Sequence, residues 1–270
     1  LVRSRGLGDV YKRQGDVVVN VVICSLIIIG GIGFVVWDDI TTNGLHFKKY
    51  RLHTKIVLVT TAFLLLSGTL LFYIIEYNNT MKGMNVGERI LASLFSATTA
   101  RTAGFNSVDT GSLTSASKLL TCVLMFIGGS PGSTAGGIKT TTIFILVVSL
   151  WSGITDRHKT AVFKRRFEDD AIKKASTVFT LNMFLAIFAL FTILAITDLS
   201  LSDVMFEVFS AIGTVGMTTG ITRDLSSAAR IIIMVLMFCG RVGSLSFALT
   251  FLQGKKDPPV YYPEEEISVG

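Results

Sequence analysis

Two short stretches of this chain carry the same chemistry in the same setting. Thr102-Ala103-Gly104-Phe105 and Thr214-Val215-Gly216-Met217 each hold a Thr-x-Gly core. One ungapped shift carries Gly104 onto Gly216, Lys118 onto Arg230 and Gly128 onto Gly240. The same shift lays Val123-Leu124-Met125-Phe126 on Val235-Leu236-Met237-Phe238. Successive backbone carbonyls can replace the water shell of a cation. Glycine suits such a strand because it accepts dihedrals that other residues resist and puts no side chain in the path. Thr102 and Thr214 can add hydroxyl oxygens. A lone Thr-x-Gly is weak evidence. Two copies, each after a short apolar segment and before a matching long one, read as the filter loops of an ion pathway.

A second constellation interrupts a long apolar run. Gly128-Gly129-Ser130-Pro131-Gly132-Ser133-Thr134-Ala135-Gly136-Gly137 cannot make a good helix. In a helix interior glycine costs about 1 kcal/mol and proline about 3 kcal/mol. Irregular backbone at membrane depth is tolerated only inside protein or against water. The segment is therefore expected to line the pathway below the filters. Gly128, Gly129, Ser130, Gly132, Ser133, Thr134, Gly136, Gly137 and Lys139 are its candidate gating residues. Residues 132–140 approach a phosphate-binding G-x-x-x-x-G-K-[ST] loop, but Ile138 stands between Gly137 and Lys139 and spoils the spacing. The third candidate is Arg241, one residue after Gly240, where the other copy has Gly129. The apolar pattern puts it mid-span, where a charge is expensive and faces a cavity or a partner.

These residues need a membrane to position them. Half of the residues are hydrophobic, 16% are charged and mean hydropathy is +0.60. A soluble domain carries about 25% charged residues. The net charge of +6 does not point to nucleic acid, because the basic residues sit in short loops between apolar runs. Cys24, Cys122 and Cys239 lie inside apolar runs and read as buried hydrophobes, with neither a disulfide framework nor a metal-ligand spacing. His46, His53 and His158 fall in predicted cytoplasmic loops, which argues against an intramembrane serine protease. A non-transporting assembly subunit would have no need of the Thr-x-Gly copies.

Five spans are predicted: residues 16–37, 56–77, 119–151 (interrupted at 128–137), 178–197 and 231–252. Residues 88–99 and 203–212 are too short to cross and each leads to a Thr-x-Gly core, the pattern of a re-entrant half-helix. Such half-helices would aim their negative C-terminal ends at a cation. Basic residues mark 38–55, 152–177 and the stretch after 252 as cytoplasmic. The fold expected is an all-α membrane protein of repeated units: helix, re-entrant half-helix, filter loop, helix. Residues 1–14 are polar and basic and read as a non-native leader. Residues 15–51 read as the closing helix of an earlier unit with its cytoplasmic loop, 52–174 as one complete unit and 175–270 as the next. One closing helix without its filter reads as an N-terminal truncation.

With these residues in view, the chain resembles the second half of a Trk/Ktr-type bacterial potassium-uptake membrane subunit. Thr98-Thr99-Ala100-Arg101-Thr102-Ala103-Gly104-Phe105-Asn106 resembles the family's third filter, and Gly213-Thr214-Val215-Gly216-Met217 its fourth. Residues 128–140 resemble its intramembrane gating loop. Gly240-Arg241-Val242-Gly243 resembles its final helix with a pore-blocking arginine, and Tyr262-Pro263-Glu264-Glu265 its C-terminal tail. The resemblance implies the potassium-channel-like architecture, four units around one pore and a homodimer in the lipid of the bacterial cytoplasmic membrane. It also implies cytoplasmic nucleotide-binding regulatory subunits, no bound cofactor and no metal beyond transported potassium, with sodium left open. Two filters of four would not conduct alone.

Overall fold

The computed structural model describes residues 16–44, 46–155, 161–163 and 165–243. The predicted leader, Lys255 and Lys256, His158 and the predicted C-terminal tail lie outside the described residues. α1 (Val17–Ile32) starts on Asp16, whose carboxylate accepts from the backbone N–H groups of Val18 and Val19. It ends at Gly33, φ +93°, where the chain turns by 93° into α2 (Phe34–Asn43). The sequence predicts one continuous span here, so this is a correction. A Cβ on Gly33 would lie 2.6 Å from the Pro131 carbonyl oxygen, so the approach of the 128–137 loop needs glycine as much as the dihedral does.

α3 (Leu52–Glu76) and α7 (Asp169–Ile196) are, among the described residues, the helices long and apolar enough to cross a bilayer singly; the bent α1–α2 pair passes the same test jointly. Their outward side chains are apolar: Leu66 and Phe191 are each 73% exposed. Lipid is the solvent for those faces, so a polar outer face is not needed. Between them run α4 (Val86–Thr99), α5 (Ser115–Phe126) and α6 (Thr140–Ile154). After α7 come α8 (Leu201–Ile212) and α9 (Ser227–Val242). Residues 161–162 and 165–166 pair as a two-residue antiparallel ladder. Predicted span 119–151 is thus two helices with the irregular loop between them. Of predicted span 231–252, the helix stops at Val242, and residues 244–252 lie outside the described residues. His53 sits in the first turn of α3, not in a loop.

The repeat is visible in the helix starts. Thr114 caps α5 by accepting from the Ser117 N–H, and Ser226 caps α9 by accepting from the Ala229 N–H, each at 3.2 Å. These pairs correspond under the sequence shift. α4 opens with a capping box between Asn85 and Glu88. α8 is the most enclosed element: Val204, Phe206 and Val208 are 0% exposed. α3 approaches α4 and α5 through a small residue, Gly68, where a Cβ would lie 3.1 Å from the Ala97 Cβ and 3.2 Å from Leu124 Cδ1. Close backbone approach through small residues is how membrane helices gain packing energy without a hydrophobic drive between them.

One buried carboxylate ties these elements together at one end. Glu76, fully buried, accepts from the Thr114 N–H (3.0 Å) and hydroxyl (2.8 Å), the Asn79 amide (2.8 Å) and the Thr80 hydroxyl (2.8 Å). It therefore fixes the end of α3 to the start of α5. Glu76→Ala leaves these donors unpaired, and breaking such a network costs about 3 kcal/mol. The expected outcome is a lower unfolding midpoint in detergent, measured by thermal denaturation. An unchanged midpoint would show that water replaces the carboxylate at no cost.

Candidate functional site

The half-helices α4 and α8 end directly beneath the two Thr-x-Gly loops. Their last carbonyls are taken by the loops' own N–H groups. Ala103 and Gly104 donate to the Thr99 carbonyl at 3.1 and 3.3 Å, Thr214 to Ala211 at 3.0 Å and Val215 to Ser210 at 2.9 Å. The loop N–H groups are thereby tied back to their helix, which leaves loop carbonyls free for another partner.

Both loops share an unusual backbone. Thr102 and Thr214 have φ of +66° and +52°, and Gly104 and Gly216 have φ of +77° and +85°. A positive φ at threonine is a genuine outlier for a β-branched residue. Alternating a left-handed residue with an ordinary one turns successive carbonyls to one side of the strand, where an extended strand would alternate them. A left-handed threonine at the same position of both copies is backbone strain of the kind that clusters at functional sites, while the glycines adopt their positive φ without strain.

The loops meet. A Cβ on Gly104 would lie 2.2 Å from the Val215 carbonyl oxygen, so the two strands run in backbone contact. Under the second lies the irregular loop: a Cβ on Gly136 would lie 2.0 Å from Thr214 Oγ1. Among the described residues that buried hydroxyl oxygen has no hydrogen-bond partner. Phe105 is held by its carbonyl, which accepts from the Thr99 hydroxyl at 2.6 Å, and Met217 is buried.

The 128–137 loop leaves and returns through one narrow neck. Gly128 donates to the Ile138 carbonyl at 2.9 Å, Ile138 to Phe126 at 3.2 Å and Thr140 to Gly129 at 3.1 Å. A Cβ on Gly128 would lie 2.0 Å from the Gly136 carbonyl oxygen, so no larger residue fits that crossing. Three further attachments spread from the neck. Ser130 donates to the Gly31 carbonyl at 3.0 Å, and Phe34 donates to the Gly132 carbonyl at 3.1 Å, which holds the loop against the α1–α2 bend. Ser133 folds back on the Ser130 carbonyl at 2.6 Å. Two cations then take consecutive carbonyls: Arg241 reaches Thr134 at 2.7 Å and Lys139 reaches Ala135 at 2.6 Å. Gly137, φ +67°, lies against Gly213 just before the second Thr-x-Gly loop.

Arg241 corrects the sequence expectation in one respect. It occupies the last turn of α9, because Gly243 at φ +92° ends the helix, and its side chain is exposed rather than enclosed. Its partner is a loop carbonyl, as a cation at a helix end with nearby free oxygens requires.

Comparison with known proteins decides the family. The TrkH family model, described as "Cation transport protein", matches residues 10–257. The chain belongs to the TrkH family. Among TrkH-family relatives it is 38% identical over 264 residues to "Ktr system potassium uptake protein B" of Bacillus subtilis, covering 97% of this chain and 59% of that protein. It is also 38% identical over 273 residues to "Potassium/sodium uptake protein NtpJ" of Enterococcus hirae, covering 98% of this chain and 60% of the relative. The chain thus spans 59–60% of the length of these relatives. The crystal structure of the potassium transporter TrkH from Vibrio parahaemolyticus shares the fold, with a TM-score of 0.71 at 18% identity over 87% of this chain and 52% of that one. The TrkH family is one of transporters, so the alternative of an intramembrane enzyme is set aside.

Four charged groups beside this TrkH-family site were given no role from the sequence. Arg101, 7% exposed, lies directly before Thr102, and its Nη2 reaches the Gly128 carbonyl at the loop's neck at 3.5 Å. Lys118 on α5 pairs with Asp203 on α8 at 2.8 Å. Glu207 is buried within α8. Their signal is a charge inside an otherwise apolar helix, or for Arg101 in the turn directly after one.

Proposed function

We propose that this chain forms part of a multi-pass potassium-uptake protein of the bacterial cytoplasmic membrane. In this reading Thr102, Ala103, Gly104, Phe105, Thr214, Val215, Gly216 and Met217 line the selectivity filter. Gly128 to Gly137, Lys139 and Arg241 form the gate below it. Residues 15–51, 52–174 and 175–270 are then the closing helix of one pore unit and the two units that follow. The observation that carries the proposal is the stacking of parts: two strained Thr-x-Gly strands in backbone contact, with an irregular loop seated directly under one of them. The names of the relatives, potassium uptake and potassium/sodium uptake, support the ion. Sodium is the second cation of the proposal. In this reading cytoplasmic nucleotide-binding regulatory subunits meet the exposed Lys48, Lys49, Lys173 and Lys174, and the assembly is a homodimer.

The test is potassium uptake by the protein expressed from its complete reading frame in a potassium-uptake-deficient bacterium. Wild type restores growth at low potassium. Arg241→Ala removes a fixed guanidinium that opposes cation passage and frees the Thr134 carbonyl. Maximal uptake should rise by about threefold to tenfold, a barrier change of ~0.7–1.4 kcal/mol, with the ion preference unchanged. A loss of preference with no gain in rate would move Arg241 from gate to filter support. No uptake by wild type would refute the function itself.

A further inference from the structure

The two filter loops are braced differently, and the difference lies in one buried carboxylate. Under the repeat shift Glu207 corresponds to Phe95, Thr218 to Asn106 and Thr222 to Thr110. In the first copy Phe95 is fully buried, and the loop is held by the Thr99 hydroxyl on the Phe105 carbonyl. The second copy has Ala211 in place of Thr99 and lacks that hydroxyl. There Glu207, 6% exposed, takes over: its Oε1 accepts from the Thr218 hydroxyl and, at 2.8 Å, from the Thr222 hydroxyl. Thr218 Oγ1 in turn accepts from the Gly220 N–H at 2.9 Å. The Thr218 carbonyl accepts from the Thr110 hydroxyl of the other copy.

The second filter strand therefore hangs between two anchors. The inner anchor is the Val215 N–H on the Ser210 carbonyl at 2.9 Å. The outer is Thr218 on Glu207. Between them Gly216 is exposed, and a Cβ there would meet nothing within 4 Å, so no packing backs the strand at that residue. Among the described residues Glu207 makes no ion pair, and two threonine hydroxyls converge on its Oε1. A buried carboxylate so placed serves geometry: two donors converge on one oxygen and fix two loop positions against one helix.

We propose that Glu207 is a positioning residue for ion selection: it sets the outer end of the Thr214–Thr218 strand and with it the spacing of the carbonyls that meet the ion. The proposal rests on the filter reading above. Its effect differs from that of a general support, because selection depends on the carbonyls that coordinate the ion while insertion and assembly do not.

The experiment measures isotopic potassium and sodium uptake in the same deficient host, with membrane abundance of each variant recorded. Glu207→Gln keeps an oxygen with two lone pairs in place and should stay within about twofold of wild-type preference. Glu207→Ala should lower potassium-over-sodium preference by about tenfold or more. Thr218→Val removes the other half of the same anchor, the hydroxyl that donates to Glu207. It should shift the preference in the same direction, which keeps the test decisive if the Ala variant does not reach the membrane. Unchanged preference in Glu207→Ala or Thr218→Val overturns the proposal. So does a Gln variant that falls as far as Ala, since that outcome assigns the effect to charge. Failure of wild type to take up potassium refutes the filter reading instead. Active wild type with indifferent Glu207 variants refutes only the role of Glu207.

Discussion

Gly104→Ala is expected to cost about a hundredfold or more in potassium-over-sodium preference, equivalent to ~2.7 kcal/mol or above. Two effects combine there. The residue sits at φ +77°, and a left-handed conformation costs an ordinary L-residue about 1–2 kcal/mol. The added Cβ would also lie 2.2 Å from the Val215 carbonyl oxygen, a backbone atom of the other filter strand that cannot swing aside like a side chain. Relief requires the two strands to part, which moves carbonyls in both. Gly216→Ala provides the internal comparison. Its φ is +85°, but nothing lies within 4 Å of its Cβ position, so only the dihedral penalty applies. Its loss should stay near tenfold, the measure of ~1–2 kcal/mol. Competition uptake assays on the two variants side by side decide the matter. Equal losses would show that the close approach of the strands plays no part in selection.

Removal of residues 130–135 should open the pathway. The cut is feasible because the loop's two arms already touch: a Cβ on Gly129 would lie 2.5 Å from the Ala135 Cβ. The neck bonds from Gly128 to Ile138 and from Thr140 to Gly129 survive the deletion. What disappears is the Ser130 and Gly132 attachment to the α1–α2 bend and the carbonyls that hold Arg241 and Lys139. Flux should rise by about tenfold or more, and its dependence on regulatory partners should fall. The measurement is uptake rate at saturating potassium with membrane abundance held constant. A deletion protein that inserts normally and carries no ion would make the loop a structural element.

Much of the candidate site was legible in the sequence as pattern because its chemistry is local. Thr102, Gly104, Thr214 and Gly216 advertise themselves by type and by repetition. A run as rich in glycine and serine as 128–137 cannot hide inside an apolar span. What the sequence did not show is what depends on other parts of the chain. The 93° turn at Gly33 needs Pro131 pressed against it, a neighbour almost a hundred residues away in sequence. The end of α9 at Gly243 moved Arg241 from mid-span to a last turn, since an apolar run continues past a glycine that hydropathy does not notice. Glu207 and Arg101 were missed for a related reason. A charge in a short amphipathic segment reads as solvent-facing until packing shows it enclosed.

The contact between Gly104 and Val215 reaches beyond the effect of any single substitution. Duplicated segments usually drift apart, each free to accept changes on its own account. These two filter strands are not free in that way, because the outline of one is a wall of the other. A change of residue size in either copy presses on its sister, so in the filter reading proposed above selectivity belongs to the pair. Grafting one filter loop from a relative with a different ion preference should disable transport, while grafting both together should transfer the preference intact.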